Sequence, residues 1–375
     1  MWFYLPELYM KSIISFYKQH PFIFNLLKLL IFLYIFIFSL ELMGTSLKMM
    51  GKGMATTLIQ TTTNPFVGLF VGILATSLIQ SSSSTTSIVV GLVAGGVLNV
   101  ANAIPIIMGA NIGTSVTNTL ASLTQIKRSG EFERSFSVAI VHDYFNLLAV
   151  LVIFPLQYFT NFLGRISSFM GQEFQNVGGL KFLSPVKALT RPLMDVLKRL
   201  VEDYPWIMFV LSLVLLLFAL TQMVKALKVL VVKRAEAWFD RYLFKTALRA
   251  FFVGLLLTFM VQSSSITTSL VVPMAGAGLL TIIQIFPYTV GANLGTTVTA
   301  ILAALVTGNL AAIIVAFSHL LFNISGMIVW LPLKSVPIFL AQKFALFSTR
   351  NKAIPILYII IVFFVIPILI IYFFK

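Results

Sequence analysis

Gln80-Ser81-Ser82-Ser83 is followed downstream by Gly109-Ala110-Asn111-Ile112-Gly113-Thr114, and Gln262-Ser263-Ser264-Ser265 by Gly291-Ala292-Asn293-Leu294-Gly295-Thr296. Both motifs recur at an offset of 182 residues, so 72–123 aligns with 254–305 without a gap and about half of the pairs are identical. An uncharged, hydroxyl-rich motif duplicated inside hydrocarbon-like sequence is hard to explain as packing. It predicts a solute site built where two repeats meet in a membrane.

The surrounding sequence supports that setting. The chain is 59% hydrophobic and 10% charged, with a mean hydropathy of +1.01, far from a soluble domain. Runs of about 20 apolar residues are long enough to cross a bilayer as helices. Between Lys28 and Glu41 no charge interrupts the apolar residues. With every backbone group to be satisfied internally, the expected fold class is an all-α polytopic membrane protein.

A net charge of +15 raises the question of nucleic acid, but the basic residues sit in the connections. From Lys225 to Arg249 there are seven Lys/Arg against Glu236 and Asp240, and Lys11 and Lys18 lie in the N-terminal stub. Positive loops held in the cytoplasm account for this bias, and no nucleic-acid partner is expected. With no cysteine, disulfides and thiolate metal sites are excluded. The N-terminus lacks a short apolar core before a small-residue cleavage site, so no cleaved signal peptide is read.

The repeat extends beyond its motif. Phe38, Leu40, Met43, Leu47 and Lys48 recur as Phe218, Leu220, Met223, Leu227 and Lys228. His142, Phe145 and Asn146 recur as His319, Phe322 and Asn323, and Pro155-Leu156 as Pro332-Leu333. The predicted spans are 22–43, 103–123 and 136–156, then 206–224, 285–306 and 310–333, with a last helix at 353–373. The segments 66–79 and 86–98 are each too short to cross alone. They predict a re-entrant helical hairpin (about 66–98) whose four serines form a polar turn; 252–261 and 268–283 repeat it (hairpin about 248–283). A break at membrane depth is tolerable where it faces protein or a watery cavity.

Three full crossings separate equivalent points of the two hairpins, and an odd number turns the second copy upside down. The expected organisation is thus an N-terminal cytoplasmic segment (1–21), transmembrane repeat 1 (22–156), an extracellular or periplasmic loop (157–205), transmembrane repeat 2 (206–333) and a C-terminal segment with the last helix (334–375).

At a hairpin tip, three serine hydroxyls and the Gln80 or Gln262 amide join the free backbone N–H groups of a broken helix. Those donors suit an oxyanion, and the oxygens suit a small hard cation. The Gly-Ala-Asn segments fit as partners. Their glycines let the backbone unwind or approach closely, Asn111 and Asn293 offer amide oxygens, and Thr114, Thr117, Thr296 and Thr299 offer hydroxyls. Pro105 and Pro287 weaken the helix just upstream, so discontinuous helices are expected.

No Lys, Arg, Asp or Glu lies in either hairpin core. Neutral dipoles alone poorly offset the lost hydration of a dianion, so co-bound cations are expected, with sodium favoured over protons. His142 and His319 read as interhelical hydrogen-bond residues with Asn146 and Asn323 one turn away, against a proton-relay alternative. Asp143 has no counterpart, Leu320 taking its place. An intramembrane serine hydrolase gains nothing from two complete copies, and no Gly-x-Ser-x-Gly or His-Glu-x-x-His motif is present. The chain is therefore read as no enzyme, with no catalytic residue and no cofactor beyond a coupling cation. A passive anion channel stays open as an alternative.

At these residues the chain resembles the type II sodium-dependent phosphate cotransporter family, marked by two Gln-Ser-Ser-Ser motifs in inverted units. Residues 104–118 (Ile-Pro-Ile-Ile-Met-Gly-Ala-Asn-Ile-Gly-Thr-Ser-Val-Thr-Asn) are similar to the family's first repeat nearly letter for letter, and 141–146 and 291–304 match well. The resemblance covers about 38–156 and 206–333. It implies a cell-membrane, multi-pass symporter (inner membrane in a bacterium) that couples sodium to inorganic phosphate by alternating access. It further implies phosphate contacts at Ser81, Ser82, Ser83, Ser263, Ser264 and Ser265, and a sodium site at Gln262, Ser263, Thr296 and Thr299. Gln80, Asn111, Thr114 and Asn293 are supporting residues. From the residues alone, another small oxyanion fits equally. The oligomeric state is open, a homodimer among the candidates.

Overall fold

The computed structural model describes residues 21–50, 60, 62–176, 184–201, 204–227, 229 and 244–374. The stub at 1–20, the connector at 51–59 and most of the basic segment, 230–243, lie outside the described residues. The described chain is helical: α1 (Pro21–Met49), α2 (Pro65–Ile79), α3 (Ser82–Ala94), α4 (Val100–Thr114), α5 (Val116–Ser122), α6 (Ser129–Thr160), α7 (Phe162–Asn176), α8 (Ser184–Val201), α9 (Pro205–Leu227), α10 (Ala247–Val261), α11 (Ser264–Gly276), α12 (Ile282–Thr307), α13 (Leu310–Trp330), α14 (Ser335–Ser348) and α15 (Ala353–Phe374). Among the described residues seven stretches are long and apolar enough to span: Phe22–Met49, Val100–Gln125, Ser129–Thr160, Pro205–Leu227, Ile282–Thr307, Leu310–Trp330 and Ala353–Phe374. They coincide with the seven expected spans, most of them lengthened, while the one expected at 310–333 ends at Trp330.

Helix starts follow from capping. Asn64, Asn99, Thr246 and Asn309 each accept a backbone N–H of the helix that follows them. Thr281 and Gln284 close a reciprocal capping box at the start of α12. Outward-facing positions are apolar, as in Leu27, Leu30 and Ile31 on α1 and Val210 and Val214 on α9, whereas polar residues collect inside. That reversal of the soluble pattern suits a hydrocarbon solvent.

Two helix pairs pack backbone to backbone. A Cβ on Gly72 would meet the Ile106 carbonyl oxygen at 1.9 Å, and one on Gly254 the Tyr288 oxygen at 2.0 Å. The reciprocal contacts are at Gly109 against the Leu69 oxygen (1.8 Å) and Gly291 against that of Phe251 (2.0 Å). The motif glycines thus serve close approach of α2 to α4 and of α10 to α12. Unwinding is not their use. α12 runs unbroken through Gly291 and Gly295, with Pro287 inside it. In the first repeat the only interruption is at Ser115, after the motif and far from Pro105. The expected pair of discontinuous helices is corrected to one mild break.

Three further expectations change. The serines do not form a four-residue turn: each break is the motif glutamine plus one serine, and Ser82–Ser84 and Ser264–Ser265 already lie in the following helix. The arms expected at 86–98 and 268–283 are Ser82–Ala94 and Ser264–Gly276. The 157–205 region is not a plain loop but carries α7 and α8. α7 packs on α13, where a Cβ on Gly171 would lie 2.7 Å from Ile314 Cγ1 and Phe174 meets the Phe317 ring. α8 docks on α1 through Thr190, whose hydroxyl bonds the Glu41 carboxylate, and through Met194 beside Phe38 and Leu42. α14, packed on α6, was not anticipated either.

Candidate functional site

The two breaks have one geometry. Gln80 ends α2 at φ 57°, ψ 28°, its N–H on the Thr76 carbonyl (2.7 Å); Gln262 ends α10 at φ 55°, ψ 27°, bonded to Thr258 (2.6 Å). This left-handed residue reverses the chain, and the next serine restarts it. Ser81 caps α3 by accepting from Ser84 N (3.2 Å), and Ser263 caps α11 by accepting from Ile266 N (3.4 Å). The first amides of each new helix have no intrahelical acceptor, so two positive helix ends are presented.

These two ends touch. Ser83 Oγ donates to the backbone carbonyl of Gln262 at 3.0 Å, joining residues 179 apart in sequence. Beside the junction lies a cavity of about 520 Å³ lined by both tips: Gln80, Ser81, Ser83 and Ser84 from the first, Ser263, Ser265 and Ile266 from the second. Thr117 of α5 and Leu217, Thr221 and Lys225 of α9 complete its wall. The volume exceeds what a tetrahedral oxyanion with coordinated cations requires.

Not every expected residue faces this space. Ser82 and Ser264 are turned into the protein; Ser264 Oγ is buried with no hydrogen-bond partner among the described residues. Thr114 and Thr296 hydroxyls return to the carbonyls of Ala110 and Ala292, one turn back. Thr299 Oγ1 is buried without a described partner. α12 runs alongside α10 in step, Gly291 against Phe251 and Gly295 against Leu255, which brings Thr299 level with Phe259, about one turn before the Gln262 tip.

Asn111 and Asn293 belong to a separate buried network. His142 Nε2 donates to Asn293 Oδ1 (3.0 Å), while Asn118 Nδ2 donates to His142 Nδ1 (3.3 Å), an arrangement that assigns the Nε2–H tautomer. Asn293 Nδ2 donates to Asn146 Oδ1 (2.8 Å) and Asn323 Oδ1 (2.9 Å). In the other sense His319 Nε2 pairs with Asn111 Oδ1 at 3.4 Å, and Asn146 Nδ2 donates to the Asn111 carbonyl (2.7 Å). Each repeat's histidine therefore holds the other repeat's motif asparagine. The amide oxygens expected to face solute are taken, and both histidines act in interhelical hydrogen bonds.

Two charged residues escaped the sequence reading. Lys225 lines the cavity from α9, so the wall is not free of charge even though both hairpin cores are. Its position in the last turn of the helix, on the face of Thr221 and Leu217, was the available signal. Asp143 is fully buried, accepting from Thr119 Oγ1 (3.2 Å) and Tyr358 OH (3.0 Å), its other oxygen without a described partner. Its lack of a counterpart in the second repeat had removed it from consideration.

The profile of the Na+/Pi-cotransporter family matches residues 35–182 and 215–345. Among curated proteins the chain is 33% identical over 448 residues to sodium-dependent phosphate transport protein 2B of Homo sapiens, covering 92% of this chain and 64% of that protein. The 2B protein of Pongo abelii gives the same figures. The 2A protein of Mus musculus is 32% identical over 419 residues, covering 90% of this chain and 66% of its own length. The chain thus spans slightly under two thirds of the length of these relatives. No solved structure matches it. With the profile covering both halves of the chain and seven apolar helices to carry it through a bilayer, this multi-pass membrane protein belongs to the Na+/Pi-cotransporter family.

Proposed function

We propose that the chain is a sodium-coupled symporter of inorganic phosphate that works by alternating access, built from two inverted repeats each bearing a re-entrant helical hairpin. One observation carries the reading: the Ser83–Gln262 bond, which brings the two breaks into a single cavity-lining unit. Short helices of 15 and 13 residues on either side of each break support re-entrance. Among the described residues, the odd number of spans between the breaks supports inversion.

In this proposal phosphate is held by Ser81, Ser83, Ser263 and Ser265, which face the cavity, together with the N-terminal amides of α3 and α11. Ser82 and Ser264 support the tips from behind. Two helix dipoles and hydroxyl donors suit the anion's oxygens but do not neutralise it. Sodium, taken by carbonyl and hydroxyl oxygens of Gln262, Ser263, Thr296 and Thr299, supplies the missing charge, and solute and cation then bind together. Thr299 lies about one turn from the second tip on the neighbouring helix, which supports its place in that set. The cavity is walled by α9 down to Lys225, the start of the basic segment, so it opens toward the cytoplasm if positive loops stay inside. The names of the relatives, which specify sodium-dependent phosphate transport, support phosphate over other oxyanions.

The test is labelled-phosphate uptake into proteoliposomes under sodium against potassium gradients. Concentrative, sodium-dependent uptake is expected. Equal uptake in potassium, or passive equilibration, would overturn the symport reading.

A further inference from the structure

The second arm of each hairpin ends in the same turn. α3 and α11 are followed by Gly96 (φ 79°) and Gly278 (φ 77°), equivalent residues in left-handed geometry. In both turns the chain doubles back onto its own final carbonyls. Gly95, Gly96 and Val97 donate to Gly91, Val93 and Leu92, and Ala277, Gly278 and Leu279 donate to Pro273, Ala275 and Met274. The next carbonyl, Ala94 in one turn and Gly276 in the other, receives no backbone N–H among the described residues. Ala94 and Gly276 also correspond at the repeat offset. A carbonyl passed over at the negative end of a helix favours an outside donor, above all a charged one.

In both cases the donor comes from the other repeat. Arg134, in the second turn of α6, donates to the Gly276 oxygen through Nε (3.0 Å) and Nη2 (2.6 Å). Asn309, which caps α13, donates through Nδ2 to the Ala94 oxygen at 3.4 Å. α6 and α13 are equivalent helices, His142 corresponding to His319, so the donors sit at matching ends of matching helices. The two holds are unequal. The guanidinium makes two charge-assisted bonds to one oxygen and forms no ion pair among the described residues; the amide makes one long neutral bond.

Packing explains where the stronger hold is needed. The end of α3 is wedged against α1, where a Cβ on Gly95 would lie 2.7 Å from Leu47 Cδ1. Beside the end of α11 there is instead a cavity of about 230 Å³, lined in part by Arg134, Ala275, Gly278 and Leu280. α11 is also the arm that carries Ser265, Ile266 and Ser269 to the cavity between the tips. A straight helix of 13 residues transmits a displacement of one end to the other, so whatever fixes Gly276 also fixes the height of the Ser263–Ser265 tip.

We propose that Arg134 is a positioning residue for the solute site: from the first repeat it clamps the far end of α11 and so keeps the second tip in register with the first. Asn309 is the weaker counterpart for α3. Arg134 touches neither solute nor cation. The inference rests on the phosphate-and-sodium reading of the tips and extends it to a side chain about 20 Å away, the length of α11. Without the clamp α11 settles at several heights. Only the fraction with both tips in register binds solute, and apparent affinity falls by that fraction.

The experiment joins a distance to a transport constant. Leu78 and Met260 are equivalent, each two residues before its motif glutamine, and both are exposed. The chain has no cysteine, so Leu78→Cys with Met260→Cys carries a spin-label pair without background, and the label separation reports the tips. Adding Arg134→Gln is expected to broaden or shift that separation by about 1.5–5 Å, from one residue's rise to one helical turn. In the unlabelled chain R134Q should raise the apparent KM for phosphate about tenfold, with kcat per folded transporter little changed. Arg134→Lys keeps the charge but loses the fork, and should fall between. Asn309→Ala should raise KM by less than about threefold. A merely structural role would lower the yield of folded protein and leave distance and KM unchanged in what folds. Unchanged tip separation in R134Q, or a changed separation with unchanged KM, would overturn the proposal. Should R134Q fail to fold, R134K decides by the same two readouts. The distance is measured without transport, so a lack of symport in the unmodified chain would show separately and would count against the function alone.

Discussion

The serine tips and the His–Asn network are both polar, both buried in the membrane core, and both assembled from the two halves of the chain. They are finished to different degrees. Asn293 uses both kinds of amide atom, accepting from His142 and donating to Asn146 and Asn323. At the tips one described bond crosses between the halves, Ser83 to Gln262, and Ser81, Ser263 and Ser265 face the cavity. A network with nearly every group paired, His319 Nδ1 lacking a partner among the described residues, has little capacity left for a ligand and acts as a strut; a cluster left with spare donors beside open volume is where a solute can bind.

Breaking the strut is expected to have the largest effect. Asn293→Ala leaves His142 Nε2 and the Oδ1 atoms of Asn146 and Asn323 unpaired in a dry core, each a penalty of about 1–3 kcal/mol. It should therefore cost about 3 kcal/mol or more of stability, read as a collapse of the melting temperature in detergent. Asn111→Ala should cost less than half of that, because its side chain accepts one long bond (3.4 Å) and otherwise donates to its own helix at Ile107. Equal losses would mean that the two asparagines are not the unequal members of the network that these bonds describe.

At the tips the order reverses, with function lost before stability. Ser83→Ala removes the bridging hydroxyl and a proposed phosphate ligand. Sodium-dependent uptake is expected to fall by at least about tenfold, while stability changes by about 1 kcal/mol, the net worth of one hydrogen bond. Ser265→Ala, in the other tip, should match it in uptake. Normal uptake by both variants would remove the tips from the site.

Much of this comparison was legible in sequence. Seven apolar runs gave seven spans, because hydrocarbon thickness fixes helix length independently of tertiary contacts. The shortness of the flanking segments placed a break between 79 and 86 and between 261 and 268, and the structure narrows each to the glutamine and one serine. What could not be read was how a side chain is spent. Asn111 and Ser83 are equally polar on paper, and only the distant partners, His319 and Gln262, show that one is committed and the other sits at the junction. α7 and α8 were missed for a related reason. Their amphipathic faces are covered by α13 and α1, neighbours far away in the chain, so the segments read as a mixed-charge loop.

The left-handed glutamines allow backbone and side chain to be separated. Gln262 sits at φ 55°, a conformation that costs a residue with a Cβ about 1 kcal/mol but costs glycine nothing. Gln262→Gly should thus be at least as stable as Gln262→Ala, by up to about 1 kcal/mol. Both should lose uptake if the side chain serves the cation. Recovery of uptake in the glycine variant alone would show that the glutamine contributes only its backbone shape.

Lys225 provides the mildest and most directional test of the contrast. It is exposed at the cavity wall and makes no ion pair among the described residues, so its charge acts on solute through water. A unit charge about 4 Å from an anion in water is worth about 1 kcal/mol, a few-fold in affinity, and salt screens it within about 10 Å at 0.1 M. Lys225→Gln should accordingly raise the apparent KM for phosphate about threefold to fivefold at low ionic strength. Increasing salt should narrow the gap. The effect should appear when phosphate is supplied from the face onto which this cavity opens and vanish when it is supplied from the other. In N293A protein that still folds, any change in KM should be the same from both faces, because the network does not line the cavity. A face-independent change in K225Q would place the lysine in the structural frame with the asparagines rather than on the solute's route.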